Sequence, residues 1–506
     1  MYSNRRFIKS IRFGIMPMFL PFILIVSLRA QEAIVRTENG YIKGVREYNC
    51  FVFKGVPYAQ PPIGLLRFKA PVELKKRSDT LDCTKFGSAA AQSGSNNSVA
   101  GDENCLFLNV YTNNIKPAKL QPVAIWIHGG GMTGGSGSGT NGHAFADNDS
   151  IVTITINYRL GAFGFLELND LGKDYASSGN NAVLDCIEAL KWIKRNIKKF
   201  GGDPDNITVM GQSAGAKLAS AVLVTPLSKG LINAAILESG AVQCIRDTVT
   251  AKAIRKRLFD KLKINNPSDI MSIPTDEIIR AQSEVLKGAQ GTNYFGPVID
   301  GVVYKDMPLH YISEKHPDNI RLLIGTNKSE AAFFMNIDRR LYRPTKGALY
   351  DWFGNNSTII YDKFKEELKI NNDTDAVTVP LLTQYMYQMH SYRLANAFAK
   401  AGYRVHIYRF DYGKGRFGAT HGDELKYVWY FPHNHSNENN TDEELVNAVH
   451  GDWVHFIKNG KLQNDKWPLY NPDDPVIKVY KNAPEYDTLK NIYNDEKFPS
   501  SCFLLK

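Results

Sequence analysis

A serine set between two glycines is the residue of this sequence whose surroundings point most clearly to chemistry. The pentapeptide GQSAG (211–215) follows the strand-like run ITVM and precedes the helical run AGAKLASAVLV. A tight strand-to-helix turn needs very small residues two positions before and after the serine, because the backbone there is crowded. Such a turn lifts the hydroxyl clear of the sheet, above the first N–H groups of the helix. The pattern predicts that Ser213 is a nucleophile.

A glycine run, HGGG (128–131), ends the strand-like segment VAIWIH well before this serine. Acyl transfer builds negative charge on a carbonyl oxygen, and glycines let backbone N–H groups approach that oxygen without obstruction. An ordinary glycine-rich turn is the alternative interpretation, since the longer segment GGGMTGGSGSG is rich in glycine. The two motifs together favour an oxyanion-binding loop.

A nucleophilic serine needs a base, normally a histidine that a carboxylate orients. Of the eleven histidines, His421 lies in GATHGDE, shortly after the strand-like run VHIYRFDY, in a loop that could face the serine. Glu330 follows the strand-like run RLLIG, and the chain order serine, acid, histidine suits this type of sheet. His450 and His455 are five residues apart in a helical pattern, which does not suit a shared metal site. We interpret these two as surface or core histidines.

Strand-like and helical patterns alternate around these motifs. Short β-branched or apolar runs occur at 123–128, 151–158, 207–211 and 234–237, and the clearest amphipathic helix spans 183–199. This alternation predicts an α/β fold with a large, mostly parallel central sheet and helices on both faces. Chemistry in such sheets lies in loops at the carboxyl ends of the strands. The segments 252–319 and 340–399 are mostly helical and are expected to form insertions that cap the sheet.

The net charge of +10 does not indicate a nucleic-acid partner. Five of the 61 basic residues and none of the 51 acidic residues lie within residues 1–30, so this short segment holds half of the net charge. The remaining charge is that of an ordinary surface without a basic stripe. The hydrophobic fraction of 43% in 506 residues is enough for a large core.

The basic amino terminus continues into an uncharged apolar run at 13–28, with Ala30 as a possible cleavage residue. This arrangement predicts a secretory signal peptide at 1–30, followed by one domain at 31–506. An uncleaved anchor is the alternative, but the run contains Pro17 and Pro21 and is shorter than the roughly 20 residues that span a bilayer. We therefore expect a secreted, extracellular protein without a stable membrane anchor.

The cysteines and glycosylation sequons agree with that compartment. Cys83 and Cys105 enclose a polar, glycine-rich stretch and form the best candidate disulfide among six cysteines, while Cys50, Cys186, Cys244 and Cys502 have no assigned partner. Sequons occur at Asn96, Asn148, Asn206, Asn327, Asn355, Asn356, Asn372, Asn434 and Asn439. We expect a glycoprotein, although such triplets also arise by chance in an Asn-rich chain.

Several stretches from about Ile34 to about Tyr470 resemble the type B carboxylesterases and cholinesterases, a family of the α/β-hydrolase fold. They occur in the family's order and are GVPYAQPPIGLLRF (55–68), ENCLFLNVYT (103–112), IWIHGGG (125–131), NYRLGAFGF (157–165), GNNAVLDC (179–186), GQSAG (211–215), ILESG (236–240), GPVIDG (296–301), GTNKSEAAFF (325–334) and THGDEL (420–425). The resemblance implies a serine carboxylic ester hydrolase that acts on small-molecule esters and needs no metal or organic cofactor.

The resemblance also implies roles for individual residues. The catalytic triad falls on Ser213, Glu330 and His421, the oxyanion-hole amides fall on Gly130, Gly131 and Ala214, and the family's first disulfide falls on Cys83 and Cys105. Two structural ion pairs fall on Arg67 with Glu103 and on Arg159 with Asp185.

Departures from the cholinesterases narrow the expected substrate. Cholinesterases carry a tryptophan between their first two disulfide cysteines, and segment 84–104 contains none. They also carry Glu before the nucleophile, where this chain has Gln212. Without the aromatic face and the negative charge, choline esters are not expected to be substrates. Their acyl-pocket phenylalanines align with Gly291 and Asn293, which predicts a wider acyl side.

The sequence therefore predicts a secreted serine carboxylesterase with an acyl-enzyme on Ser213. One alternative is a catalytically weak or inactive binding protein, like the neuroligin and glutactin members of the family. A stoichiometric scavenger that is acylated and turns over slowly is another. Among turnover enzymes, a neutral lipase and a juvenile-hormone-type esterase stay open, as do the natural ester and the oligomeric state.

Overall fold

A large β-sheet organises the part of the chain that the computed structural model describes, which is residues 33–95, 98–286, 291–315, 319–432, 443–460, 467–489 and 494–505. The segment 1–30, where a signal peptide is predicted, lies outside these residues. The strands are β1 Ala33–Thr37, β2 Gly40–Glu47, β3 Cys50–Pro57, β4 Thr80–Asp82, β5 Gln92–Ser93, β6 Val99–Ala100, β7 Phe107–Thr112, β8 Gln121–Ile127, β9 Val152–Ile156, β10 Gly202–Gln212, β11 Ala234–Glu238, β12 Arg321–Asn327, β13 Val405–Phe410, β14 Val476–Tyr480 and β15 Glu485–Thr488.

Helices connect and cover these strands. They are α1 His143–Ala146, α2 Gly161–Phe165, α3 Asn181–Asn196, α4 Ala214–Leu223, α5 Thr248–Leu262, α6 Thr275–Leu286, α7 Gly291–Tyr294, α8 Pro308–Lys315, α9 Glu330–Ile337, α10 Lys346–Phe353, α11 Ser357–Ile370, α12 Thr374–Thr383, α13 Met389–Lys400, α14 Leu425–Val428 and α15 Glu443–Asn459. Within the described ranges, no helix is both long enough and apolar enough to cross a bilayer.

The sheet is parallel in its centre and antiparallel toward its edges. The strand order is β1-β2-β3-β7-β9-β8-β10-β11-β12-β13-β14-β15, and β4 pairs with β2. Strands β9, β8, β10, β11, β12, β13 and β14 all run in the same direction. The predicted mostly parallel sheet is confirmed, and the carboxyl ends of its central strands meet at one edge.

Alternating side chains along each central strand pack on opposite faces, as the strand period of two requires. On β8, Val123, Ile125 and Ile127 belong to the core that α3 and α4 cover. Ala124 and Trp126 belong to the second core, which α15 covers. A third cluster joins residues of α9 to α12, in line with the capping insertion predicted over 340–399. The apolar runs are thus buried on both faces, which explains why they lack polar alternation.

Both predicted ion pairs are present. Arg67 Nη2 lies 2.8 Å from Glu103 Oε1, and Arg159 Nη2 lies 2.7 Å from Asp185 Oδ1. Arg159 and Asp185 are almost completely buried. Removing one partner of such a pair would leave an uncompensated buried charge, so the pairs hold the loops around the sheet in place.

The predicted disulfide is not formed in the structure. Cys83 and Cys105 are buried free thiols, as are the other four cysteines. Burial raises the pKa of Cys83 to about 12, which favours the protonated thiol over the thiolate that attacks disulfides. The Cys83–Cys105 bond stays a prediction from the sequence.

Glu238, at the end of β11, is a buried carboxyl in this core. Trp453 on α15 donates its indole N–H to Glu238 Oε1 at 2.6 Å, and the glutamate side chain has no exposed surface. Burial raises the pKa of Glu238 to about 8 from its ordinary value of 4.5. A raised carboxyl pKa stabilises the fold below the unfolded pKa, and that stabilisation is lost as the pH rises through the folded pKa.

We therefore expect Glu238→Gln, which keeps the oxygen that accepts from Trp453, to gain stability relative to wild type as the pH rises from 5 to 8. The gain should approach ~1.4 kcal/mol per pH unit in that interval. Urea unfolding at a series of pH values measures it, with the exposed Glu277→Gln as the matched control. A stability difference that does not change with pH would refute the buried, protonated carboxyl.

Candidate active site

Ser213 stands on the turn between β10 and α4, in the backbone conformation that the sequence motif predicts. Its φ is +57° and its ψ is −123°, a backbone conformation that residues other than glycine rarely adopt. Gly211 and Gly215 must be glycines, because a Cβ at either position would collide with the backbone. A Cβ on Gly211 would lie 2.5 Å from the Gly215 carbonyl carbon, and a Cβ on Gly215 would lie 2.0 Å from the Ile127 carbonyl oxygen. The turn is therefore pressed against the end of β8.

The glycine loop after β8 lies directly against this turn. A Cβ on Gly129 would approach the Gln212 carbonyl oxygen to 2.9 Å and the Ser213 Cβ to 3.4 Å. Gly130 and Gly131 have φ values of +106° and +66°, which glycine adopts without strain. The Gly130 carbonyl accepts hydrogen bonds from the N–H groups of two residues further along the loop. These hydrogen bonds fix the orientation of the Gly130 carbonyl within the loop.

A buried histidine anchors the same loop. The ring of His128 stacks on Tyr158 with centroids 4.5 Å apart, and the Tyr158 hydroxyl donates to the His128 carbonyl at 2.8 Å. Burial lowers the pKa of His128 to about 4, so its imidazole is neutral at physiological pH. Ala214 is the first residue of α4, where backbone N–H groups have no partner within the helix. The three predicted oxyanion-hole residues therefore lie in the loop and the helix start that border Ser213.

His421 and Glu330 are in direct contact. His421 Nδ1 lies 2.5 Å from Glu330 Oε2, and neither side chain is more than 7% exposed. Glu330 Oε1 accepts from the Asn327 N–H at 2.7 Å and from the Ser239 hydroxyl at 2.5 Å. With donors on both oxygens, Glu330 is held as an acceptor for the Nδ1–H of His421.

The remaining ring nitrogen of His421 faces the turn that carries the nucleophile. His421 Nε2 lies 3.3 Å from the amide Nε2 of Gln212. Because an amide nitrogen only donates, His421 Nε2 accepts here and its proton is on Nδ1. This is the tautomer that a general base requires. Gln212, noted in the sequence only as a departure from the cholinesterases, thus contacts the candidate base.

Aromatic side chains surround the imidazole. The ring centroids of Tyr387, Phe334 and Phe333 lie 4.7, 4.9 and 5.8 Å from that of His421. Tyr387 is fully buried, which raises its pKa, and its hydroxyl forms a hydrogen bond with Ser213. In this arrangement the Ser213 hydroxyl bonds Tyr387, and His421 Nε2 accepts from the Gln212 amide. For proton transfer, His421 Nε2 must exchange the Gln212 amide for the Ser213 hydroxyl.

A buried lysine lies against Tyr387. Lys217, four residues after Ser213 on α4, places Nζ 4.8 Å from the centroid of the Tyr387 ring. Burial lowers the pKa of Lys217, and the nearby Glu330 opposes that shift. The amine is thus part of the electrostatic surroundings of the site, although it belongs to no recognised motif.

Sequence reasoning missed four residues of this site: Gln212 as a contact of the base, Ser239, Tyr387 and Lys217. Ser239 carried a usable signal, because it follows β11 and so lies at the carboxyl edge of the parallel sheet. Tyr387 lies in a π-helical turn, Gln384–Gln388, inside a helical insertion and carried none.

The other sequence candidates lie in structural contacts. His450 Nδ1 bonds the Val428 carbonyl at 2.8 Å and its Nε2 lies 3.0 Å from Asp149, so it links elements of the fold. Asn293, proposed for the acyl side, donates its amide to the Trp352 carbonyl at 3.0 Å. The Asn293 amide is therefore bound to α10, one of the helices of the capping insertion.

The chain is similar over most of its length to known esterases. Para-nitrobenzyl esterase of Bacillus subtilis is 32% identical over 91% of this chain and 98% of its own length. Carboxylesterase 4A of Bos taurus is 28% identical over 90% of this chain and 92% of its own. The crystal structure of carboxylesterase EST55 from Geobacillus stearothermophilus superposes with a TM-score of 0.80 at 32% identity, over 90% of this chain and 97% of that one.

The family model described as the Carboxylesterase family matches residues 31–498. The match covers nearly the whole chain, and the fold is that of solved carboxylesterases of the α/β-hydrolase type. The expected resemblance to carboxylesterases is thereby confirmed, and with it the ester-hydrolase class. This protein belongs to the Carboxylesterase family and is a carboxylic ester hydrolase.

Proposed function

We propose that this protein is a secreted serine carboxylesterase that hydrolyses esters through an acyl-enzyme on Ser213. The observation that carries the proposal is the orientation of His421. Its Nδ1 is bound to Glu330 at 2.5 Å, and its Nε2 accepts a hydrogen bond from Gln212, the residue directly before the serine. A base with its lone pair at the nucleophile turn is what serine acylation needs.

In the first half of the reaction, His421 takes the proton of Ser213 while the serine oxygen attacks the ester carbonyl carbon. The carbonyl oxygen becomes an oxyanion that the N–H groups of Gly130, Gly131 and Ala214 stabilise. Glu330 holds the imidazole in place and stabilises its positive charge. The proton then passes from His421 to the departing alcohol, and the acyl group stays on Ser213.

In the second half, a water molecule repeats the sequence on the acyl-enzyme. His421 takes a proton from the water as it attacks the acyl carbon, then returns this proton to Ser213 as the carboxylic acid leaves. Uncharged carboxylic esters are the substrate class that we propose. The amide of Gln212 supplies no negative charge for a cationic alcohol, and the relatives include a para-nitrobenzyl esterase and a phenmedipham hydrolase.

The acyl-enzyme makes Ser213→Ala the decisive variant. Since the three residues act as a unit, kcat/KM for a p-nitrophenyl ester should fall by about a thousandfold or more. Brief mixing with the same ester should add one acyl group to the wild-type mass and none to the variant.

Ser220→Ala is the matched control for this experiment. Ser220 is buried on the same helix, and its hydroxyl donates to a local carbonyl, that of Lys217, at 2.7 Å. The control should stay fully active. If Ser213→Ala kept activity within about tenfold of wild type, another residue would be the nucleophile. Acylation without turnover in the wild type would instead indicate a stoichiometric scavenger, and no acylation would indicate a binding protein.

Gln212→Glu tests the base. Only neutral imidazole accepts the serine proton, so kcat/KM should fall at acid pH as one proton binds. A carboxylate facing His421 Nε2 would stabilise the imidazolium, so the acid limb of the pH profile should move to higher pH by about one unit or more.

Gln60→Glu, which introduces the same charge at a half-buried side chain whose amide donates to the Glu73 carbonyl, should leave that limb in place. A wild-type profile that is flat from pH 5 to 8 with chemistry rate-limiting would exclude a histidine base. An unmoved limb in Gln212→Glu would place the base elsewhere.

Secretion is supported by the apolar amino-terminal run and by the sequons that the fold exposes. Asn148 and Asn372 are exposed, whereas Asn327 is fully buried with its amide donating to the Thr420 carbonyl. Expression of the full chain in a eukaryotic secretory host should deliver it to the medium with an amino terminus close to residue 31. Peptide mapping should find glycans at Asn148 or Asn372 and none at Asn327. Retention in the cytosol with an intact amino terminus would refute the proposal.

A further inference from the structure

A second group of chemically versatile side chains lies at the start of β3 and along α1. Cys50, His143 and Asp147 are all buried, and one potential ligand atom from each lies within 4.8 Å of the other two. Asp147 Oδ1 is 2.7 Å from Cys50 Sγ and 2.7 Å from His143 Nδ1. A thiol and an imidazole thus converge on a single carboxylate oxygen.

This cluster is remote from the nucleophile. Phe51, next to Cys50, pairs with Thr112 at the end of β7. Tyr111 on β7 pairs with Thr153 near the start of β9, which runs parallel to β8. The cluster therefore lies at the amino edge of the parallel strands, whereas the glycine loop and Ser213 lie at their carboxyl edge. Ester hydrolysis makes no use of these three side chains.

We propose that Cys50, His143 and Asp147 bind a divalent zinc-type cation. Thiolate, imidazole and carboxylate are the ligands that Zn²⁺ prefers. The cation would replace the thiol proton, so the charges of one thiolate and one carboxylate would balance its two positive charges. The imidazole would bind through its neutral Nδ1.

The orientation of His143 supports this assignment. Its Nδ1 faces the cluster, while its Nε2 faces Glu47 Oε2 at 3.7 Å. A carboxylate behind the distal nitrogen of a ligating histidine keeps the proton on that nitrogen and raises the basicity of the other. The other Glu47 oxygen accepts from Lys54 at 2.7 Å, which fixes the carboxylate in that position.

Packing holds the ligands ready. The centroids of Tyr48, Tyr111 and Phe431 lie 5.0, 5.1 and 5.6 Å from that of the His143 ring. Asp147 Oδ2 accepts from the Asn49 N–H at 3.3 Å, and Oδ1 contacts Cys50 and His143, so both carboxylate oxygens are held in position. His143 is the first residue of α1, and Asp147 directly follows its last residue with helical φ and ψ, so the two side chains lie one turn apart on the same side.

A metal ion fits with a small displacement. In a tetrahedral zinc site, ligand atoms bound at 2.0 to 2.3 Å lie roughly 3.5 Å apart. The two 2.7 Å contacts would have to open by less than ~1 Å. Tyr48, whose ring contacts His143, is 60% exposed, so the cluster lies close to the surface. The fourth position is left for a water molecule or another exchangeable ligand.

The test compares the full-length wild type with Cys50→Ser and Asp147→Asn, each stripped with EDTA, reloaded with Zn²⁺ and desalted. Elemental analysis should find about one zinc per chain in the wild type and near none in the two variants. Zn²⁺ should also raise the wild-type melting temperature relative to EDTA, by mass action on the folded state. Cys186→Ala, which removes a buried cysteine elsewhere, is the control and should bind zinc like the wild type.

Cobalt provides a spectroscopic readout that the wild type alone can give. Co²⁺ added to the stripped wild type should produce a sulfur-to-metal charge-transfer band in the near ultraviolet, which requires a thiolate ligand. Cys186→Ala should keep this band, and Cys50→Ser should lose it where it folds. Absence of zinc in the wild type, equal zinc in Asp147→Asn, or no cobalt band would each overturn the proposal. Ester hydrolysis by the folded variants should stay near the wild-type rate, so this result is independent of the role of Ser213.

Discussion

The close packing of the nucleophile turn against β8 is the constraint on which the site depends. The Gly215 Cα lies against the Ile127 carbonyl so tightly that a Cβ would approach it to 2.0 Å. On the other side of the turn, a Cβ on Gly240 would come within 2.6 Å of the Ser213 carbonyl oxygen. The serine backbone is thus confined between the ends of β8 and β11, and this confinement sustains a φ of +57° that a free chain would avoid.

Parallel strand order turns that local constraint into a complete site. Strands β8, β10, β11, β12 and β13 are neighbours in the sheet, so the loops after them open on the same edge. They carry, in order, the glycine loop, Ser213, Ser239, Glu330 and His421. Asn327 joins two of these loops, because its N–H binds Glu330 and its amide binds the Thr420 carbonyl. Residues far apart in sequence are thereby fixed by backbone register and by a few side-chain bonds.

The same features explain what the sequence could and could not predict. The sheet, α3 and the serine turn have strong local signatures: two-sided apolar runs, a helical period and glycines that crowding demands. His421 and Glu330 could be nominated because each follows a recognisable strand. The bond between Gln212 and His421 joins residues more than two hundred positions apart, and Tyr387 approaches from an irregular helical turn. Such contacts arise from tertiary packing and leave no periodic trace in the sequence.

The thiol cluster illustrates the same limit from another side. The sequence offers Cys50 no partner, because no pattern around it pairs it with another cysteine. The structure gives it two partners of other types, His143 and Asp147, which only the fold brings to β3. Helical spacing would have paired His143 with Asp147, since they are four residues apart. No local sequence pattern links this pair to Cys50, which lies on a strand in another part of the sheet.

Charge explains why a neutral amide suits position 212. Glu330, which holds the imidazole, belongs to a group of three fully buried carboxyls that also includes Glu238 and Glu424. Burial raises the pKa of Glu424, with the nearby Glu330 and Glu238 adding to the effect. Glu330 is the member of the group that receives donors from the backbone, a serine and the imidazole, so it is the one suited to carry the charge. A further carboxylate at position 212 would favour the imidazolium form of His421 over the neutral base. The Gln212 amide instead donates to His421 Nε2, so the lone pair of that nitrogen stays directed at the serine turn.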